Sequence, residues 1–455
     1  MSKFLIVGNH HYRNEKNDSL FRKFSVSFFY IFFMYGIGFC LNYILLSYFK
    51  VKLYGDYQLA DYLIISLSTI LFMGKQNVLK RFLFKYFPKD LYHLASFIRW
   101  HTTFSFRCFL IFYALFFLFA ICFLILDELN IMSLADIHIV YWAVAAAPLA
   151  NTWYVFCIYL LTFGYPRLYV FFIQGLPNVI LFLLAATFML LQPAPTDYDV
   201  LIYVSGTQFL LLITIFCFFY YCLKDVITKV FSIDHDLSVL PEWTDHRSQS
   251  LLIDLYSILP LTIILFILEF FSTTEITGHI SLCFTIASIF QLMHNTIGPL
   301  TFKNLNDMIV QEDSLSISEK RAKLQPIKYI NRIMMALSVC FLTIVYFFGS
   351  DILSLFSMDS DMMYYLLVEI SLLTYIQSMY YPSLNFALVS AGLSRFTGNV
   401  ELFMYLALAI LGSLVVVIYD FWFLIHLYFA LIIIQILMCH FKFKKKMGFS
   451  PLCLL

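Results

Sequence analysis

Asp61 and Lys75 stand in one apolar stretch, "ADYLIISLSTILFMGK" (residues 60–75). A carboxylate in such a run is costly, and its default reading is a proton or cation site. An amine in a place of lowered dielectric attracts an anion such as a phosphate. The two lie 75 − 61 = 14 positions apart. On one straight helix that is about 21 Å, too far for an ion pair. Tyr57, Asp61, Ser68 and Lys75 share one helical face, as do Gln291, His294, Asn295 and Gly298 further on. A third polar stripe runs through Ser371, Thr374, Ser378, Tyr381 and Asn385, with Pro382 expected to kink it. Such stripes either line a water-filled cavity or hydrogen-bond between helices inside each bundle.

These residues must be held by membrane helices. Of 455 residues, 62% are hydrophobic and 13% charged, and the mean hydropathy is +0.84. Soluble domains carry roughly 25% charged residues, so this chain cannot hide its apolar surface in one water-soluble core. A net charge of +1 gives no sign of a nucleic-acid partner. The ten cysteines are scattered, without a CxxC or a Cys/His cluster, and read as small buried hydrophobes. The polar N-terminal segment is too long to lead a signal peptide, so the first apolar run is expected to be an uncleaved span.

Apolar windows fall near 24–48, 57–79, 104–126, 137–162, 167–191, 199–223, 250–271, 279–301, 328–348, 363–390, 399–419 and 421–441. They do not alternate as barrel strands do, so each is expected to be a helix. Lys and Arg cluster before the first window, in every second connection and at the C-terminus, while the remaining connections are acidic or neutral, apart from Lys50 and Lys52. Both termini are therefore expected on the cytoplasmic side. The expected organisation is a cytoplasmic N-terminus (1–23), a six-helix bundle (24–223), a polar cytoplasmic linker (224–249), a second six-helix bundle (250–441) and a basic cytoplasmic tail (442–455). In this topology Arg81, Arg107 and Arg332 lie near cytoplasmic span ends, as phosphate contacts or snorkelling anchors. Glu269 and Glu369 lie near outer ends, as ion sites or caps of the external surface.

A weak repeat joins the halves. Gly55 and Gly278 each open a span after a short external turn, at an offset of 278 − 55 = 223. The same offset carries Ser68 to Gln291 and Lys75 to Gly298. Six spans return the chain to its starting side, so the repeats would be parallel, about an axis along the membrane normal. Catalytic signatures are missing: there is no Walker A loop, HExxH, GxSxG or metal-ligand cluster. Asp359–Asp361 has DxD spacing, but it lies in a short external loop and reads as merely acidic. No cofactor is expected. The expected class is a transporter, not an enzyme.

"GFCLNYILLSYFKVKLYGDYQLADYLIISLSTILFMGKQNVLKRFLFKY" (38–86) resembles the first two spans of the polysaccharide transporter family. These are Wzx-type flippases for lipid-linked O-antigen and related oligosaccharides, in the superfamily that includes multidrug and toxin extruders (MATE). The pattern is a turn with Gly and an aromatic (Gly55, Tyr57), then a helix ending in Gly and Arg-Phe (Gly74, Arg81, Phe82). "EFFSTTEITGHISLCFTIASIFQLM" (269–293) resembles the same pattern at spans seven and eight, and "LLTYIQSMYYPSLNFALVSAGLSRF" (372–396) resembles span ten. The resemblance implies an all-α, MATE-like membrane protein of about twelve helices in two six-helix bundles arranged as a V. It implies a bacterial cytoplasmic-membrane flippase for surface polysaccharide assembly. The cargo would be an undecaprenyl-pyrophosphate-linked oligosaccharide, and the partners membrane lipids and other polysaccharide-assembly membrane proteins. On this reading Lys75, Arg81, Arg107 and Arg332 meet the head group, while Asp61, Glu269 and Glu369 couple to H+ or Na+. Ser68, Gln291, His294, Asn295, Ser378, Tyr381 and Asn385 line the cavity. The alternatives are a MATE-type drug/cation antiporter of the same superfamily and, from another class, a multi-span glycosyltransferase or polymerase. A peptidoglycan-precursor flippase usually has two more spans, and a non-transporting assembly scaffold also remains open.

Overall fold

A computed structural model describes residues 20–71, 75–87, 90–129, 139–163, 168–169, 171–191, 194–232, 258–290, 317–356, 361–390 and 393–447, together with 241, 243–244, 251 and 255. Among the described residues the regular structure is helical throughout. The chain runs through α1 (Leu20–Leu71), α2 (Lys75–Tyr86), α3 (Leu91–Glu128), α4 (Ala147–Thr162), α5 (Leu176–Leu191) and α6 (Asp197–Ser232). It continues through α7 (Leu259–Phe271), α8 (Thr274–Ala287), α9 (Ile317–Leu355), α10 (Asp361–Ser390), α11 (Ser394–Ile418) and α12 (Phe421–Met447). A 3₁₀ stretch (Ile139–Ala146) leads into α4 and a π turn (Phe171–Gly175) into α5.

Seven helical segments among the described residues are long and apolar enough to cross a membrane. The barest is α3, whose most apolar window has no buried residue and shows Phe106, Leu110, Leu115, Phe117 and Leu118 outward. So continuous an apolar face is stable only against lipid. α10 is long, yet its buried Ser371, Thr374, Gln377 and Ser378 make it less apolar than its neighbours. α7 is apolar but short as described. The protein is a multi-pass membrane protein.

α1 holds the first window and most of the second. They are divided at Lys50, whose φ of 61° lies in the left-handed region that a side chain with a Cβ rarely adopts. That residue makes the turn which the sequence places outside.

By contact the chain forms two compact units, Asp56–Thr262 and Lys16–Gly55 with Ile263–Leu455. The first span thus groups with the later helices, although chain order alone divides the windows at 224–249. Close packing explains the grouping. A Cβ on Gly55 would lie 2.8 Å from both Gly278 N and Thr274 O, and a Cβ on Gly278 would strike Val51 O. The two glycines paired by the 223-residue offset therefore meet backbone to backbone, which only Gly permits. Further along α1, the Tyr35 hydroxyl donates to Ile286 O at 2.7 Å. Phe39 and Tyr43 pack edge-on against Phe356.

The first unit is centred on an aromatic cluster where α2, the start of α3 and α4 meet: Phe82, Tyr86, Phe97, Trp100, Tyr159, Phe163 and Trp243. Trp243 belongs to the polar linker but is only 1% exposed, and its Nε1–H donates to the Tyr86 hydroxyl at 3.1 Å. An amphipathic ring with one apolar body and one satisfied N–H suits such a place. Asp90 caps α3 by accepting from His93 N at 3.0 Å. That backbone donor, with the imidazole 2.6 Å away, holds its carboxyl below the usual range.

Candidate functional site

The polar face of the second span lies in the α1 half beyond Gly55. Tyr57, Ser68 and Thr69 are buried there, and Tyr57 packs edge-on against Tyr203 of α6 at 5.6 Å. Asp61 lies within electrostatic reach of the same Tyr203, whose hydroxyl donates to Leu181 O. Ser68 and Thr69 both turn back onto Ile65 O. Ser66 and Thr262 bond hydroxyl to hydroxyl at 2.7 Å, both buried. Of the expected stripe, Ser68 bonds to its own helix's backbone, while the bond to a neighbouring helix is made by Ser66, which lies off that face.

Lys75 lies in α2 (Lys75–Tyr86), and residues 72–74 between α1 and α2 lie outside the described residues.

The other expected residues lie on several elements. The side chains of Lys75, Arg81, Tyr381 and Asn385 lie outside the description, and their backbones place them in α2 and α10. Gln291, His294 and Asn295 lie wholly outside the described residues. Arg107 in α3 and Arg332 in α9 are exposed, as snorkelling anchors would be. Ser378 is buried in α10. Glu269 near the end of α7 accepts from Thr274 Oγ1 at 3.1 Å, which ties it to the start of α8. Glu369 faces His426 of α12, with Oε1 and Nε2 3.4 Å apart. Among the described residues no group of three or more His, Cys, Asp or Glu could hold a metal ion.

Sequence reasoning missed several buried carboxylates, among them Asp56, Asp199 and Glu401. Glu401 in α11 is 0% exposed, and Tyr405, one turn on, donates to its Oε2 at 2.8 Å. In the sequence it lies only 401 − 395 = 6 positions from Arg395 and passes for an interfacial acid. An i, i+4 Glu/Tyr pair inside an apolar window was the available signal.

No family model and no curated protein matches this sequence. Solved structures do match. One is described as the inward-facing conformation of a multidrug resistance MATE family transporter of the MOP superfamily; it has 12% identity and a TM-score of 0.57, over 92% of this chain and 96% of that one. At that identity the likeness is one of fold: the chain has an all-α, MATE-like membrane fold.

Proposed function

We propose that this protein is a secondary transporter that moves an undecaprenyl-pyrophosphate-linked oligosaccharide from the cytoplasmic to the outer leaflet. The observation that carries the reading is Lys75 on α2, a basic helix (Lys75–Tyr86) that also holds Lys80, on a MATE-like fold. Cationic side chains in a place of lowered dielectric form an anion-attracting point, which a cationic drug would avoid and a pyrophosphate would seek. Arg81 follows on the same short helix. Lys85 lies one turn further, with its amine 5.7 Å from the Tyr86 ring centroid. The family resemblance of 38–86 supports the same cargo class. Asp61, Glu269 and Glu369 are the proposed coupling acids, with H+ or Na+ as the ion. The setting is a bacterial cytoplasmic membrane with both termini inside.

A drug/cation antiporter is the second reading, favoured by the multidrug-resistance description of the structural neighbour. Variants at Lys75 separate the two. In proteoliposomes holding lipid-linked oligosaccharide, Lys75→Ala should slow flipping at least tenfold and Lys75→Arg should retain most of it. Equal rates in all three proteins would refute the anion-site reading.

A further inference from the structure

The helices α10 and α12 pack on each other within the second unit. Near the Asp361 end of α10 and the Phe421 end of α12, Glu369 Oε1 lies 3.4 Å from His426 Nε2. The other imidazole nitrogen is already occupied: His426 Nδ1 lies 3.1 Å from Trp422 O, one turn back on α12. A carbonyl oxygen only accepts, so Nδ1 carries a hydrogen. In a neutral imidazole Nε2 is then a bare lone pair, and it would face a carboxylate oxygen that also only accepts. Two acceptors do not hold each other at ion-pair distance. With a proton on Nε2 the conflict disappears, since imidazolium and carboxylate attract. Neither side chain has another hydrogen bond or ion pair among the described residues. The side chains are 21% (Glu369) and 51% (His426) exposed, so the pair is open to its surroundings and needs no buried route. Other titratable groups stand on the packed helices: Glu275, His279 and Cys283 on α8, Tyr346 and Asp351 on α9, and Asp361, Tyr364, Tyr365 and Tyr375 on α10. Glu401 and Tyr405 stand on α11, Tyr419 and Asp420 in the turn after it, and Tyr428 on α12. None of them bonds to or pairs with either side chain.

We propose that Glu369 and His426 form a proton-binding clasp between α10 and α12, closed while one proton sits between them and released when it leaves. The step is a plain protonation. Water gives up a proton, an N–H bond forms at His426 Nε2, and the same bond breaks when water takes the proton back; no other bond changes. Imidazole is a stronger base than a glutamate carboxylate by about two pH units in ordinary peptides, so the proton rests on His426 and Glu369 stays ionised. Glu369 is thus a positioning residue that holds the imidazolium, and His426 is the group that exchanges. Hard cations take several oxygen ligands, whereas here one carboxylate faces a nitrogen, so the exchanged ion is H+ and not Na+. Without its proton the pair is two acceptors, and α10 and α12 lose their tie at that end. The clasp gives one of the proposed coupling acids a partner and an ion. It rests on the secondary-transport reading for its purpose, but not for its test.

The test is solid-state magnetic resonance of the full-length protein in lipid vesicles without cargo, with nitrogen-15 histidine and carboxyl carbon-13 glutamate, titrated with pH. The signals of His426 are those lost in His426→Gln. At about pH 6 both its ring nitrogens should be protonated, and at about pH 9 the ring should be neutral with its hydrogen on Nδ1. The dipolar coupling from Nε2 to a glutamate carboxyl carbon should be present in the charged ring and lost in the neutral one. Glu369→Gln should lower the midpoint by about one pH unit or more, and Glu369→Asp, which keeps the charge, should restore part of that shift. Exchanging K+ for Na+ at constant ionic strength should leave the midpoint unmoved. A ring already neutral at about pH 6, a neutral ring with its hydrogen on Nε2, or a coupling that persists in the neutral ring would overturn the proposal. So would a midpoint that Glu369→Gln leaves in place or that Na+ moves. Because no cargo is present, failure here is distinct from failure of the flipping assay.

Discussion

In the first unit the hydroxyls of Ser68, Thr69, Thr162 and Thr207 each bond back to a carbonyl of their own helix, and Trp153–Gln208 and Trp243–Tyr86 are neutral bonds between elements. In the second unit an acid meets a histidine across two helices, an amide meets a phenol across the same two, and a buried glutamate holds a tyrosine. Polar groups satisfied by their own backbone are inert to their surroundings. Titratable groups paired across helices change partners when their charge or the packing changes. On this comparison the first unit is an apolar and aromatic frame with buried acids such as Asp56 and Asp199, and the second pairs titratable groups across helices.

The largest expected effect breaks the frame. Trp243→Ala removes a fully packed indole from the first unit and should cost about 3–5 kcal/mol, read as a lower unfolding temperature in detergent and faster proteolysis of the linker. Glu401→Gln, which keeps shape and a hydrogen-bond acceptor, should leave that temperature nearly unchanged. Next comes the backbone contact of the second unit. Gly278→Leu must push Val51 and α1 away from α8 and should cost about 1–3 kcal/mol or more, with Gly278→Ala less severe. The comparison sharpens in transport. His426→Gln should lower the rate driven by a pH gradient about tenfold, and the double variant with Asp61→Asn should abolish its pH response. If Asp61→Asn alone removed the whole response, the proton exchange would belong to the first unit. Smaller still, Lys50→Gly should raise stability by about 1 kcal/mol, because glycine adopts a φ of 61° without strain. The smallest effect concerns Asp90. Its folded carboxyl lies below the ordinary value, so its stabilisation is present above about pH 4 and is lost as pH falls through the lowered value. Asp90→Asn should keep most of the cap and remove that acid sensitivity.

The sequence made the membrane class and the helical spans legible, because each depends on composition or spacing along the chain; the contact of Gly55 with Gly278 was not, since a shared offset marks positions as equivalent and not as neighbours. Asp61 stood out by composition too, alone in a long apolar run. Glu401 did not, since its burial comes from the faces that α10 and α12 present to it and not from its own neighbours. The Trp243 anchor was hidden likewise: a tryptophan in a polar linker gains its meaning from Phe97 and Tyr86, far away in sequence. The grouping of the first span with the later helices depends on a backbone approach that no periodicity encodes.

The central claim is directional movement of an anionic lipid-linked sugar. Its most direct measurement is the fraction of lipid-linked oligosaccharide open to an impermeant sugar-oxidising reagent, followed over time in proteoliposomes, with cationic-dye efflux read in parallel from the same preparation. The account predicts protein-dependent movement of the oligosaccharide between leaflets, lost in Lys75→Ala, and no dye efflux. Dye efflux with a static oligosaccharide, from folded and correctly inserted protein, would contradict it.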